Sequence, residues 1–169
     1  MITIQIRQAR PEDAEQAIAV LRASITQLCE ADHQHDEFTL SRWLRNKQPA
    51  TFVDWLNNES NYIVVTTEGE AICGVGLITR TGDLDLCYVA PGKQGLGVGD
   101  KLLTALEAQA WQWGLSHIKL ISTSKARTFY EKHGYQKDGI TIREHGVLID
   151  YHYIKYAPQD GVPQTTGTV

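Results

Sequence analysis

Asp83-Leu84-Asp85-Leu86-Cys87-Tyr88-Val89-Ala90-Pro91-Gly92-Lys93-Gln94-Gly95-Leu96-Gly97-Val98-Gly99-Asp100 is the stretch that decides the fold of this chain. Its first seven residues are mostly apolar or aromatic and end at Pro91-Gly92, which reads as a short strand closed by a turn. Glycines then stand at every second position, Gly95, Gly97 and Gly99. A helix follows at once, because Val98, Leu102, Leu106, Ala110 and Trp113 recur at three- and four-residue steps and share one face. A strand, a glycine loop and a helix N-terminus together aim free backbone N–H groups and the positive end of the helix dipole at one spot, where a phosphate fits. Two familiar phosphate loops do not match. Counting from Gly95, the sixth position is Asp100, so the dinucleotide fingerprint fails. Gly92-Lys93 is followed by Gln94, so the nucleotide-triphosphate loop fails as well.

Upstream, residues 2–8 alternate apolar and polar as a half-buried strand does, and Pro11-Glu12-Asp13 has the composition of a helix first turn. Ala14, Ala17, Ile18, Leu21, Ile25 and Leu28 form a stripe that predicts a helix to about Glu30. Glu30 to Glu37 reads as a solvated polar connection. Its His33 and His35 lack a closed ligand set, so no metal site is expected. Two short helices, Phe38–Lys47 and Thr51–Asn58, break near Pro49, with Trp43, Phe52 and Trp55 packing them onto the core. Asn61–Thr67 and Ala71–Arg80 are strands joined through Glu68-Gly69-Glu70. Gly74 and Gly76 mark bulges or close approaches, and Thr81-Gly82 turns the chain into the Asp83 strand. Downstream, His117–Ser122 is a strand that a crossover makes a parallel neighbour of the Asp83 strand. A helix capped by Thr123 or Ser124 follows and ends at Gly134. A final hairpin uses Gln136–Ile142 and Gly146–Lys155, with Val147, Ile149, Tyr151 and Tyr153 on one face. The fold class is α/β with a mixed sheet.

The chain has 169 residues and a hydrophobic fraction of 42%, as expected for one domain over residues 1–157 and a polar tail over 158–169 that reads as disordered. A net charge of −4 and the lack of a basic run argue against a nucleic-acid partner. No secretory segment and no membrane-length apolar run are read, and three cysteines without metal spacing fit reduced thiols in a cytoplasm.

Gln94-Gly95-Leu96-Gly97-Val98-Gly99, after Leu86-Cys87-Tyr88-Val89-Ala90-Pro91, resembles the Gln/Arg-x-x-Gly-x-Gly/Ala loop and preceding strand of the GNAT N-acetyltransferase superfamily. Ala126-Arg127-Thr128-Phe129-Tyr130-Glu131-Lys132-His133-Gly134-Tyr135 is similar to that family's second signature at every fixed position, about thirty residues on. Ile6-Arg7-Gln8-Ala9-Arg10-Pro11-Glu12-Asp13 is similar to its N-terminal entry. The resemblance implies a GNAT fold, splayed between two parallel central strands with helices on both faces. It also implies transfer of an acetyl group from acetyl-coenzyme A to a primary amine of a small molecule or protein by direct attack, without a metal.

In that family Gln94, Gly95, Leu96, Gly97, Val98, Gly99, Asp100 and Lys101 would hold the pyrophosphate. Backbone of Tyr88 and Val89 would hold the pantetheine and the carbonyl oxygen. Ser124, Arg127, Phe129 and Tyr130 would complete the acetyl-coenzyme A site. At Ser124 and Thr123 the family often has asparagine. Tyr130 would be the general acid, and Asp83 the general base, with Asp85, expected to point the same way, or a water as alternatives. His33, His35 and Trp43 lie in the region that borders the acceptor site. Cys87 reads as core. Many relatives pair as dimers, which leaves a homodimer open. A non-catalytic acyl-coenzyme A-binding domain is the alternative from another class. A GNAT-type toxin acting on aminoacyl-tRNA is a third reading, disfavoured by the missing basic patch.

Overall fold

A computed structural model describes residues 3–143 and 149–159. The order of elements is β1 (Ile4–Gln8), a short 3-10 turn (Pro11–Asp13), α1 (Ala14–Leu28), α2 (Glu30–His33), α3 (Glu37–Leu44), α4 (Pro49–Asn57), β2 (Asn61–Glu68), β3 (Ala71–Thr79), β4 (Asp83–Val89), α5 (Val98–Gln112), β5 (His117–Ser122), α6 (Arg127–Lys132), β6 (Gln136–Ile142) and β7 (Ile149–Tyr156). The strands form one seven-stranded sheet in the order β1-β2-β3-β4-β5-β7-β6. All neighbours are antiparallel except β4 and β5. The mixed α/β class expected from the sequence is the observed one. Among the described residues no helix is long and apolar enough to cross a membrane. Gly146 and Val147, and the tail beyond Gln159, lie outside the described residues.

Two hydrophobic cores cover the two faces of the sheet. On one, Val98, Leu102, Leu106 and Ala110 of α5 pack with Ile78, Leu84, Ile118 and Leu120. On the other, Ala17, Ile18 and Leu21 of α1 and Phe52 of α4 pack with Ile63, Val65, Val75 and Leu77. Close approach at Gly74 and Gly76 brings α5 onto β3. A Cβ on Gly74 would sit 2.7 Å from Val98 Cγ1, and one on Gly76 would sit 2.8 Å from Leu106 Cδ1. These glycines let a helix lie on the strand without side chains between. The entry to α1 is fixed by Asp13, whose carboxylate accepts from both Arg7 guanidinium nitrogens at 2.7 and 2.8 Å and from the Arg10 N–H at 2.8 Å.

Three expectations need correction. Glu30–His33 is one helical turn rather than a solvated loop, and Asp32 and His33 are buried in it. The Thr123 and Ser124 side chains do not cap α6. Its N-cap is Ala126, without a side-chain cap, because the Ser124 hydroxyl is engaged elsewhere. Asp83 and Asp85 do not share a side by simple alternation. Between Leu77↔Leu86 and Ile78↔Leu84 the β3–β4 register slips, which makes Asp85 the extra residue of a bulge. Leu84 and Leu86, two residues apart, therefore enter opposite cores.

β4 and β5 pair only at Asp83↔Lys119 and Leu84↔Leu120. Beyond Leu84 the two strands diverge, while β5 continues to pair with β7 as far as Ser122↔Tyr151. The sheet is splayed at its centre, and among the described residues no strand pairs with the β5-facing edge of β4 from Leu86 to Val89.

Candidate active site

The splay opens into a cleft made of three adjoining cavities. The largest, about 410 Å³, runs along the glycine loop and is lined by Val89, Gln94, Gly95, Gly97, Val98, Gly99 and Asp100 on one side and Phe129 and Tyr130 on the other. A middle cavity of about 160 Å³ shares Cys87 and Tyr130 with it and adds Asp85, Tyr88, Thr123 and Lys125. A third, of about 170 Å³, shares Asp85 and Tyr88 with the middle one and adds Asp32, Trp43 and Asp150.

At the loop, Gly95 and Gly97 hold φ of 78° and 80°, the left-handed region that favours glycine. A Cβ at Gly97 would meet nothing within 4 Å, so the space it faces is open. The loop is braced from behind. The Gln94 side-chain oxygen accepts from the Gly92 N–H at 2.8 Å, and the Lys93 ammonium pairs with Glu68 at 2.5 Å. Among the described residues no acceptor in the chain takes the N–H groups of Gln94 to Asp100. The first intrahelical bond at this end is Lys101 N–H to Gly97 O, at 3.1 Å. These free donors and the α5 N-terminus make a cradle for an anion. Asp100 in the first turn is paired with His133 at 2.7 Å. Phe129 seals the helix start, since a Cβ on Gly99 would lie 3.2 Å from its ring.

Tyr130 is buried at the junction of the glycine-loop cavity and the middle cavity, edge-on to Phe129 and Tyr135. Its hydroxyl faces the Cys87 thiol. Burial, then the neighbouring Cys87 and Tyr88, push its pKa well above the usual phenol value, so it keeps its proton. Burial likewise pushes Cys87 up to about 12. Asp85 opens partly to the cleft, with protein around the rest of it. Burial, and then the charge of Asp83, push its carboxyl up to about 6 against the pull of Lys47. Lys47 is buried, its ammonium donating to Trp43 O at 3.3 Å and Asn46 Oδ1 at 2.5 Å, and burial lowers it to about 8.

The structure thus brings together Val89, Gln94, Gly95, Gly97, Val98, Gly99, Asp100, Phe129 and Tyr130, with Tyr88 one cavity further on. It leaves the other named residues apart. Leu96 and Lys101 are exposed and line none of these cavities. Arg127 lies over the Tyr151 ring at 4.2 Å and borders a separate cavity beside β6 and β7. Ser124 gives both its N–H and its hydroxyl to Asp32. Asp83 sits at the turn, accepting from the Thr81 hydroxyl at 2.8 Å, and lines no part of the cleft. Trp43 does border the third cavity. His33 is bonded inside the protein, and His35 is exposed beside Glu30 at 3.2 Å. Sequence reasoning missed Cys87 and Asp32 as cleft residues. Cys87 carried a signal in its place two residues before the end of the central strand; Asp32 carried none.

Among the described residues no group of His, Cys, Asp and Glu side chains is arranged to hold a metal. The family model described as an acetyltransferase (GNAT) domain matches residues 20–152. The peptidyl-lysine N-acetyltransferase YjaB of Salmonella typhimurium (strain LT2) is 29% identical over 137 residues, which span 80% of this chain and 86% of that protein. Among solved structures, the GCN5-related N-acetyltransferase "Aminotransferase, Class-II" of Rhodopseudomonas palustris superposes with a TM-score of 0.77 at 25% identity, over 93% of this chain and 98% of the other. The PaiA N-acetyltransferase of Thermoplasma acidophilum, solved with coenzyme A, gives 0.75 at 20% identity, over 92% of this chain and all (100%) of that one. With the motifs, the splayed sheet and the family match in agreement, the chain belongs to the GNAT acetyltransferases.

Proposed function

We propose that the chain moves an acetyl group from acetyl-coenzyme A to a primary amine by direct attack within one complex, and that the amine enters through the third cavity. One observation carries this reading. β4 and β5 part after Leu84, so an unpaired strand edge, a set of free loop N–H groups and a protonated Tyr130 all face one continuous cleft.

The loop fits a pyrophosphate, because its free N–H groups surround space that a Cβ at Gly97 would fill. Gln94 to Asp100 would hold that group, and the open edge of β4 at Tyr88 and Val89 would bind the pantetheine arm and the carbonyl oxygen. Acetyl-coenzyme A supplies an acyl carbon activated by its thioester. Asp85 takes a proton from the entering ammonium, directly or through a water. A pKa of about 6 leaves it ionised at neutral pH and still basic enough to accept. The amine nitrogen then bonds the acyl carbon as the carbon–sulfur bond breaks. Backbone donors on β4 stabilise the developing oxyanion. Tyr130 hydrogen-bonds the departing sulfur and delivers its proton, which it regains from the proton shed by the new amide nitrogen. The proton on Asp85 leaves to solvent. Positioning supplies much of the rate in such a reaction.

The third cavity carries the carboxyl groups of Asp85 and Asp150 beside Trp43 and Tyr88, with Arg143 on Asp150 at 2.9 Å, while the buried Asp32 carboxylate behind them is taken up by Ser124. Acidic groups and aromatic walls suit an ammonium on an apolar stem. A lysine side chain has that form, and the name of the Salmonella relative supports it. Calorimetric titration with acetyl-coenzyme A, beside a thiol-release assay over amines and lysine peptides, tests the reading. Micromolar binding with thiol release on an amine is expected. No binding, or binding with no release on any amine, would refute it.

A further inference from the structure

We propose that Asp32 is a positioning residue for this reaction. By holding Ser124 it fixes the segment after β5 that walls the cleft opposite β4. The proposal rests on the acetyl-transfer reading above.

Asp32 is 2% exposed, and its Oδ1 accepts the Ser124 N–H at 3.0 Å and the Ser124 hydroxyl at 2.9 Å. The two residues are 92 apart in the chain. None of the described ion pairs includes Asp32. A buried carboxylate served by neutral donors of one residue is costly, and it ties two distant segments together. The turn that carries it is anchored in its own right. Fully buried His33 places Nε2 at 3.1 Å from the carbonyl oxygens of Ile25 and Thr26, while its Nδ1 accepts the His35 N–H at 3.0 Å. An accepting Nδ1 puts the proton on Nε2, which donates to the end of α1. Contacts therefore run without a break from α1 through His33 and Asp32 to Ser124.

The far end of this tie matters because the sheet does not hold it. β4 and β5 separate after Leu84 and Leu120, and the β5–β7 ladder ends at Ser122. α6 begins without a side-chain cap. Between these elements, Thr123, Lys125 and Ala126 line the middle cavity, and Thr123 also lines the third. The distance from that wall to Asp85 and Tyr88 on β4 is thus set by Asp32 and Ser124.

Three variants separate the tie from the charge. Asp32→Ala cuts both bonds and is expected to raise the acceptor KM roughly ten-fold or more and lower kcat, the scale of a misplaced positioning element. The acetyl-coenzyme A affinity is expected to stay within about three-fold, since the loop cradle is untouched. Asp32→Asn keeps the tie, because Oδ1, which takes both the N–H and the hydroxyl of Ser124, is retained as the amide oxygen. It is expected to restore near wild-type constants. Ser124→Ala loses one bond of two and is expected to raise the acceptor KM about three-fold, which keeps the test alive should Asp32→Ala not fold. Hydrogen exchange of the Ser124 amide reads the tie with no substrate present: slow in the wild type and in Asp32→Asn, fast in Asp32→Ala. An unchanged acceptor KM in Asp32→Ala would overturn the proposal. So would an Asp32→Asn enzyme that is as impaired as Asp32→Ala with a slow Ser124 amide, since Asp32 would then act by charge on the acceptor. A protein with a slow Ser124 amide that binds no acetyl-coenzyme A would refute the acetyl-transfer reading and not the tie.

Discussion

In the proposed reaction Tyr130 and Asp85 divide the proton work because their surroundings differ. Tyr130 is enclosed, and burial holds its proton in place. Asp85 is half open, and burial with the charge of Asp83 brings its pKa to about 6. Tyr130→Phe keeps the ring packing against Phe129 and Tyr135 and removes only the donor. Turnover is expected to fall about ten-fold or more with acetyl-coenzyme A affinity unchanged, as single-turnover rates beside titrations would check. For Asp85 the sign follows from its role. The ionised form is the base, so kcat/KM falls as pH drops through about 6. Asp85→Asn is expected to lower kcat/KM at pH 7 by roughly a hundred-fold and to abolish that acidic limb. Lys47 holds the Asp85 pKa down, so Lys47→Met is expected to move the limb to higher pH. A limb that stays put in both variants would assign the base to water. The choice between Asp83 and Asp85 was not legible in the sequence. Strand alternation puts both on one side, and only the one-residue slip of β4 against β3 separates them.

Among elements, β4, the glycine loop and α5 were readable because every signal in them is local: strand residues, a Pro-Gly stop, glycines at fixed steps and an apolar stripe. Helix α2 was not readable. Glu30-Ala31-Asp32-His33 is polar, and the groups that bury it lie in α1 and at Ser124, so the deciding contact spans 92 residues. Two glycines show how differently one residue type serves neighbouring elements. Gly74 lies under α5, where a side chain collides with Val98, whereas Gly97 faces open space at the start of that helix. Gly74→Val is expected to cost about 1–3 kcal/mol by overpacking, or roughly 2–4 °C in Tm for each kcal/mol in a chain of this size. Gly97→Val is expected to abolish acetyl-coenzyme A binding, with its cost to folding confined to left-handed strain of about 1–3 kcal/mol. Thermal melts beside titrations distinguish the two, and wild-type affinity in Gly97→Val would remove the loop from the site.

At the scale of the molecule, the sheet is two halves joined by two residue pairs. β1 to β4 form an antiparallel block packed by α1, α4 and α5. β5 to β7 form a second block, joined to the first through Asp83↔Lys119 and Leu84↔Leu120 and through α5 beneath. The sequence implied a parallel neighbour for β4 through the crossover rule. It did not reveal how few residues would pair, since the slip of β4 against β3 just where the β4–β5 pairing stops is not written in any local pattern. A ligand lying in the opening would bridge the two blocks with contacts that the ladder lacks. Acetyl-coenzyme A at about a hundred times its Kd is therefore expected to stabilise the fold by about 2.7 kcal/mol, a rise in Tm of roughly 5–10 °C. The gain is expected to be local in hydrogen exchange. Protection should rise at Cys87 to Val89, in the loop from Gln94 to Asp100 and at Ser122 to Ala126. The β1–β2 pairing, which touches none of the three cavities, should be unchanged below the global limit. Equal slowing across both blocks would mean that the ligand acts only on global unfolding, and that the open edge of β4 is not where it binds.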